Sequence, residues 1–244
     1  MKLTGIVLTL LFAAGLLILA PGYAGAMEGY AVESYAETYT PGDAGSGILT
    51  VRLKAKPALD GYVYLVKSFG KMNPKGLSET QNVQGDIETY KSGDTELFRV
   101  QAADGGSPVT LTAAFDCPAF YGAKAKAGET GAPAIPVSSK FTNPFTTAIG
   151  SYSVKVILDK GEEIVNVSAP KAYADYTLGK EGDSRSVSVS KKKLAALAGI
   201  TLTFSYGKTL ANSALGVTVL WLVCLALGIA VLIARFPRNK AHNS

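Results

Sequence analysis

Residues 214–234, ALGVTVLWLVCLALGIAVLIA, form a run of 21 residues without a charge. As a helix rising about 1.5 Å per residue, such a run matches a hydrocarbon core of about 30 Å. Keeping that much apolar surface in water would outweigh the marginal stability of any domain, so the run predicts a single transmembrane helix. Arg235, Arg238 and Lys240 follow it at once, while only Lys208 lies close on the other flank. This asymmetry predicts a cytoplasmic tail, 235–244, and places the chain before the span outside the cytoplasm. A tail exchanged for a glycolipid would end apolar, whereas this chain ends RFPRNKAHNS.

The first 26 residues carry the complementary signal. Lys2 precedes an apolar run over 5–20, Pro21-Gly22 breaks it, and Ala24-Gly25-Ala26 supplies small residues for a peptidase. The pattern predicts a secretory signal over 1–26, cleaved before Met27. Sixteen apolar residues are too few for a span of roughly 20.

With this topology the net charge of +5 loses its apparent meaning. Setting aside Lys2 and the three tail cations leaves 20 basic groups against 19 acidic ones in the exported part. Nucleic acid is therefore not an expected partner. The composition, 48% hydrophobic and 18% charged, also excludes a disordered chain. Of the two cysteines, Cys224 lies in the predicted span and Cys117 outside it, so no disulfide links the exported part. Cys117, in AAFDCPAF, is expected to be a buried apolar group.

Between 27 and 210 the pattern is that of strands. Leu49, Val51 and Leu53 alternate with Thr50, Arg52 and Lys54, and similar stretches recur over 61–67, 96–101, 109–115, 151–158, 164–168, 173–178, 187–189 and 200–206. A period of two puts each apolar set on one face. Nine short strands with Gly, Pro, Asp and Asn punctuation predict an all-β, antiparallel sandwich. Residues 191–197 are the one soluble helical candidate. Residues 124–139 begin KAKAGETGAPAIP and read as a linker or loop between β-rich parts at 27–123 and 140–210; one merged sandwich is the other reading. The stretch 68–93, with NPKG and SGD turns, is expected to project as a loop, either as a partner surface or as a mobile insertion without function.

No reactive constellation emerges. The lone histidine, His242, falls in the tail, so neither a Ser-His-Asp triad nor a zinc site is available outside. Gly207-Lys208-Thr209 lacks the earlier glycine of a phosphate loop, since Leu202 stands there. Ser188-x-x-Lys191 and Ser190-x-x-Lys193 have the Ser–Lys spacing, but in a strand i and i+3 point to opposite faces. Glu162 and Glu163 read as a solvated turn. No catalytic, cofactor-binding or metal residue is assigned, and the chain is expected not to be an enzyme. Lys191–Lys193 suit either a solvated turn or contact with head groups. Asn166-Val167-Ser168 has the glycosylation pattern within a strand, and Tyr30, Tyr35 and Tyr39 suit either a contact surface or strand packing.

The segment SYSVKVILDKGEEIVNVSAP followed by ITLTFSY just before the span resembles the membrane-proximal repeat of prokaryotic surface proteins with immunoglobulin-like modules. YSVKVIL…KKKL…LTFSYGK is also similar to the end of ribophorin I, a glycosyltransferase-complex subunit. The first resemblance implies an immunoglobulin-like fold and no particular activity. The expectation is a non-enzymatic envelope protein, integral in the cell membrane by one span, whose exported β-sandwich binds or scaffolds a protein, glycan or wall component. The alternative is an accessory subunit of a membrane complex, with Gly216, Ala226, Gly228 and Ala230 allowing close helix approach.

Overall fold

The structure, a computed structural model, describes residues 27–93, 95–122, 134–208 and 214–235. The predicted signal over 1–26, most of the predicted linker, and the tail beyond Arg235 lie outside the described residues.

Seven strands come before the linker: β1 (Ala31–Pro41), β2 (Gly47–Lys56), β3 (Tyr62–Val66), β4 (Asn73–Gln81), β5 (Val83–Ser92), β6 (Thr95–Ala102) and β7 (Val109–Cys117). Six follow it: β8 (Ile135–Thr142), β9 (Ile149–Ile157), β10 (Glu162–Ala169), β11 (Thr177–Glu181), β12 (Ser184–Leu194) and β13 (Gly199–Lys208). They form a seven-stranded sheet, ordered β11-β12-β9-β1-β2-β7-β4, and two three-stranded sheets, β3-β6-β5 and β10-β13-β8. The all-β expectation holds.

The side-chain period explains the layering. On β1, Tyr35, Glu37 and Tyr39 face inward beside Leu53, Val51 and Leu49 of β2 and Tyr152, Val154 and Val156 of β9. The alternate residues, such as Thr38, Thr50 and Lys155, lie on the opposite, more exposed face. Both small sheets cover the inward face. Phe98 of β6 lies 4.8 Å from Phe115 of β7, and Phe141 of β8 lies 5.1 Å from Tyr35 and 4.2 Å from Tyr152, between ring centroids. The second layer is therefore divided, and β3 and β8 border the seam.

One pairing departs from a purely antiparallel sandwich. β1 and β9 run parallel, from Ser34 opposite Ser151 to Tyr39 opposite Val156. A parallel neighbour needs a long crossover, which the intervening strands provide. Strands from before and after the linker meet there in one continuous sheet. The junction is tight: a Cβ at Gly150 would stand 2.5 Å from the Glu33 carbonyl oxygen.

Tyrosine hydroxyls close the main chain of β3 on the side away from β6. Tyr35 Oη accepts from the Val66 N–H at 2.9 Å, and Tyr30 donates to the Tyr64 carbonyl at 2.7 Å. The Tyr62 carbonyl takes the Ala58 N–H at 2.9 Å. An open edge would be a template for unwanted pairing, and here it is capped from inside the protein.

Several sequence expectations change. Residues 191–197 are not helical: β12 continues to Leu194, whose pairing with Ile149 buries it, and a turn follows. The 68–93 stretch is not a loop but holds two edge strands in different sheets, β4 hydrogen-bonded to β7 and β5 to β6. Register shifts near Gly76 and Gly85 interrupt its alternation, and it buries little, so its polar sequence concealed two strands. In 173–178, Tyr173–Asp175 forms a 3-10 turn and the strand starts at Thr177. β8 begins at Ile135, inside the predicted linker.

The chain leaves the sandwich at Lys208, and helix α1 (Ala214–Arg235) follows. Its described side chains, 218–231, are all exposed, with Trp221 at 71%. No helix is long and apolar enough to cross a membrane among the described residues.

Adding a methyl at Gly150 must push β9 from β1. Gly150→Ala is expected to destabilise the protein by about 1–3 kcal/mol, seen as a lower urea midpoint with unchanged slope; an unshifted midpoint would refute the tight junction.

Candidate functional site

The seam lies between a buried carboxylate on β1 and a groove in the surface. Its floor is Glu37, fully buried although it is a carboxylate. The β1 alternation forces this placement, because Glu37 lies between the inward Tyr35 and Tyr39. Tyr152 of β9 donates to Glu37 Oε2 at 2.9 Å, whereas Oε1 has no hydrogen-bond partner. Ser68, just after β3, shares a 3.0 Å hydrogen bond with Tyr39 and favours the Glu37 anion, as Tyr152 does. Ser139 of β8 lies close enough to Tyr39 to favour its anion. Both borders of the seam thus rest on the polar face of β1.

Burial outweighs these two donors and raises the Glu37 carboxyl to about 7. The same burial, reinforced by the Glu37 charge, holds Tyr35, Tyr39 and Tyr152 well above the ordinary phenol range. Cys117, also buried, is pushed up to about 12 by desolvation and then by the neighbouring Asp116 and Glu37 charges. Enclosed in this way, the carboxyl can exchange a proton but cannot reach a substrate.

The seam widens into an open groove of about 300 Å³ that runs from beside the middle of β1 toward one end of the sandwich. Val66, Lys67, Glu96 and Leu97 line one wall, and Lys140, Thr142, Pro144 and Leu197 the other. Register fixes which end this is. Thr142 pairs with Gly199 at the start of β13, ten residues and about 30 Å from Lys208. Leu197 stands on the β12–β13 turn with φ +59°, a left-handed conformation unusual for leucine, and is 77% exposed.

The other end, where the chain exits, is lined by ion pairs: Lys160–Asp183 at 2.7 Å, with Arg185–Glu163 and Lys155–Glu181 at 2.8 Å. Exposed pairs of this kind add little stability, but they leave that end electrically balanced.

The residues singled out from sequence fall mostly outside the seam. Tyr30, Tyr35 and Tyr39 are buried and hydrogen-bonded, so they are no surface for a partner. Cys117 is buried, as expected. Glu163 pairs with Arg185, and Glu162 accepts from the Asp159 N–H, so the two acids are held in a strand start rather than a free turn. Lys208 ends β13 and forms no loop around an anion. Ser188 and Lys191 lie three apart on a strand, as do Ser190 and Lys193. Lys191 and Lys192 lie on β12 opposite Tyr152 and Ser151 of β9. Asn166 and Ser168 are exposed on β10. Glu37, Lys140 and Leu197 were not read as functional. The signal for Glu37 was present, a charged residue at the inward phase of SYAETYT. No group of three or more His, Cys, Asp or Glu that could hold a metal occurs among the described residues.

No family model matches the sequence. No curated protein matches it either. Solved structures resembling it include a putative protease from Parabacteroides distasonis, 9% identical over 72% of this chain and 40% of that one, with a TM-score of 0.42. An M1 zinc metallopeptidase from Deinococcus radiodurans is 12% identical over 72% and 42%, with a TM-score of 0.41. Leukotriene A4 hydrolase from Saccharomyces cerevisiae is 11% identical over 71% and 29%, with a TM-score of 0.42. The chain spans less than half the length of each. At these scores the likeness carries no inference about activity.

The folded protein holds the Glu37 proton up to about pH 7, whereas an ordinary carboxyl releases it near 4.5. Stability should therefore be greatest below pH 4.5 as far as this group is concerned, and fall as pH rises through 7, by about 3 kcal/mol in total. Glu96 and Asp104 are held low, by Lys67 and by Ser107 respectively, and titrate below this window. Thermal melts should show a higher Tm at pH 5 than at pH 8, and Glu37→Gln should flatten the difference. A wild-type Tm that rises from pH 5 to 8 contradicts the assignment.

Proposed function

We propose that the chain is an exported, single-pass membrane protein with an immunoglobulin-like β head that binds or scaffolds a protein or glycan partner and performs no catalysis. The observation that carries this reading is the polarity of the head. Its exit end, at Lys208, precedes an apolar helix by five residues and carries balanced ion pairs. Its opposite end carries the groove, together with Lys56, Lys140 and Lys191–Lys193, which have no acidic partner among the described residues. Such a head, tethered at one end, presents the other to the surroundings.

The same polarity supports a cleaved signal. Met27 is buried beside the start of β1, at the groove end. An uncleaved leader held in the membrane would have to return past the length of the sandwich, about 30 Å. Support for the immunoglobulin-like build comes from the pairing of layers: β9, β12 and β11 lie under β10, β13 and β8, much as two sheets of a sandwich. The alternative, an accessory subunit of a membrane complex, draws on the exposed apolar surface of α1, including Leu220 and Trp221. Lipid would cover that surface equally well.

Membrane-impermeant thiol labelling of intact cells tests the topology. Cys117 is buried and provides no background. Leu59→Cys, on a loop 77% exposed, should label in intact cells, and His242→Cys only after lysis. The reverse pattern would overturn the proposal.

A further inference from the structure

The groove has a composition that selects among partners. Its floor is aliphatic: Leu97 is fully buried beneath it, Val66 nearly so, and Leu197 projects from the rim. Its charges are unbalanced. Glu96 is the single acid lining it among the described residues, bonded to Lys67 at 2.8 Å and flanked across the strand pair by Lys91. Lys140 on the facing wall has no acidic partner among the described residues. Among the described residues, Lys67, Lys140 and the neighbouring Lys91 thus stand near one carboxylate.

The exposed Leu197 adds an independent observation. A leucine with positive φ costs backbone energy that glycine would not incur, and exposing it gains nothing in the fold. Strain retained at an exposed apolar side chain, on the lip of a charged slot, marks a contact residue rather than a packing one.

We infer that the groove between Lys67 and Lys140 binds an acidic peptide segment carrying a large aliphatic side chain, which lies between Val66 and Leu197. The lysines attract carboxylates from two sides, while the aliphatic floor accepts one apolar side chain. A glycan fits less well, because among the described residues none that lines the groove presents an aromatic ring for a sugar face to lie against. This deepens the binding role proposed above by naming the partner's chemistry, and it rests on that reading only for its biological setting. The contact is small and open, so the expected Kd is weak, on the order of 100 µM.

Fluorescence anisotropy on the full-length protein in detergent micelles tests the inference without depending on membrane topology. The probe is a labelled acidic hexapeptide with one central leucine. Two controls are the same peptide with lysines in place of its acids, and a polygalacturonate oligomer. The acidic peptide should bind, more weakly as salt rises. Lys140→Glu should raise Kd by about tenfold or more. Leu197→Gly should also weaken binding by several-fold while leaving the Tm equal or higher, because glycine relieves the left-handed conformation. That pairing separates a contact role from a structural one. Equal binding of acidic and basic peptides, indifference to Lys140→Glu, or binding of the polygalacturonate alone would overturn it. The thiol-labelling result stands or falls separately.

Discussion

The inward face of β1 is the constraint on which the rest of the structure depends. This strand lies at the centre of the large sheet, antiparallel to β2 and parallel to β9, and it carries three polar side chains where a core would ordinarily hold aliphatics. Tyr35 caps the main chain of β3, Tyr39 shares a hydrogen bond with Ser68, and Glu37 receives the hydroxyl of Tyr152. Directional bonds thus tie the β3 edge to this strand, while the β8 edge is held by the Phe141 ring against Tyr35 and Tyr152. Hydrophobic burial supplies the bulk of the driving force but has no direction. The hydroxyls fix where the β3 edge comes to rest, and so they set one border of the seam.

The seam in turn gives the head its two unlike ends. A layer made of two small sheets leaves a line of weaker packing, and a concavity forms where that line meets the surface beside the β12–β13 turn. Binding sites favour such junctions between packed units, since the walls come from separate elements and can carry different chemistry. Here one wall brings Lys67 and Glu96, the other Lys140 and Leu197. At the exit end the strands close with matched charges, which suits a surface held near other polar groups.

Much of the fold was legible in the sequence because burial imposes a period of two. Val154 and Val156, or Leu202 and Phe204, could only be inward pairs on strands. β4 and β5 were illegible for the same reason, since they bury almost nothing and their alternation carries no signal. β1 was partly visible as a crowd of tyrosines, but whether these faced a partner or the core depended on a parallel contact with a strand more than a hundred residues away. The groove was not legible at all. Its walls come from four separate stretches of chain, and nothing local to Lys140 or Leu197 marks them as neighbours of Lys67. The buried carboxylate was accessible in principle, as the charge between Tyr35 and Tyr39 in their phase; Glu33 shares that phase in the sequence, but the bulge between Val32 and Ser34 leaves it exposed.

The central claim is that the head stands with its groove end away from the lipid. Energy transfer to a lipid-surface acceptor in nanodiscs tests it most directly, with a donor placed in turn at Asp183→Cys and Glu28→Cys in a Cys224→Ala background. The account predicts strong transfer from position 183, near the exit, and much weaker transfer from position 28, about 25–30 Å further out along the strands. Equal transfer from both, or stronger transfer from position 28, would contradict it.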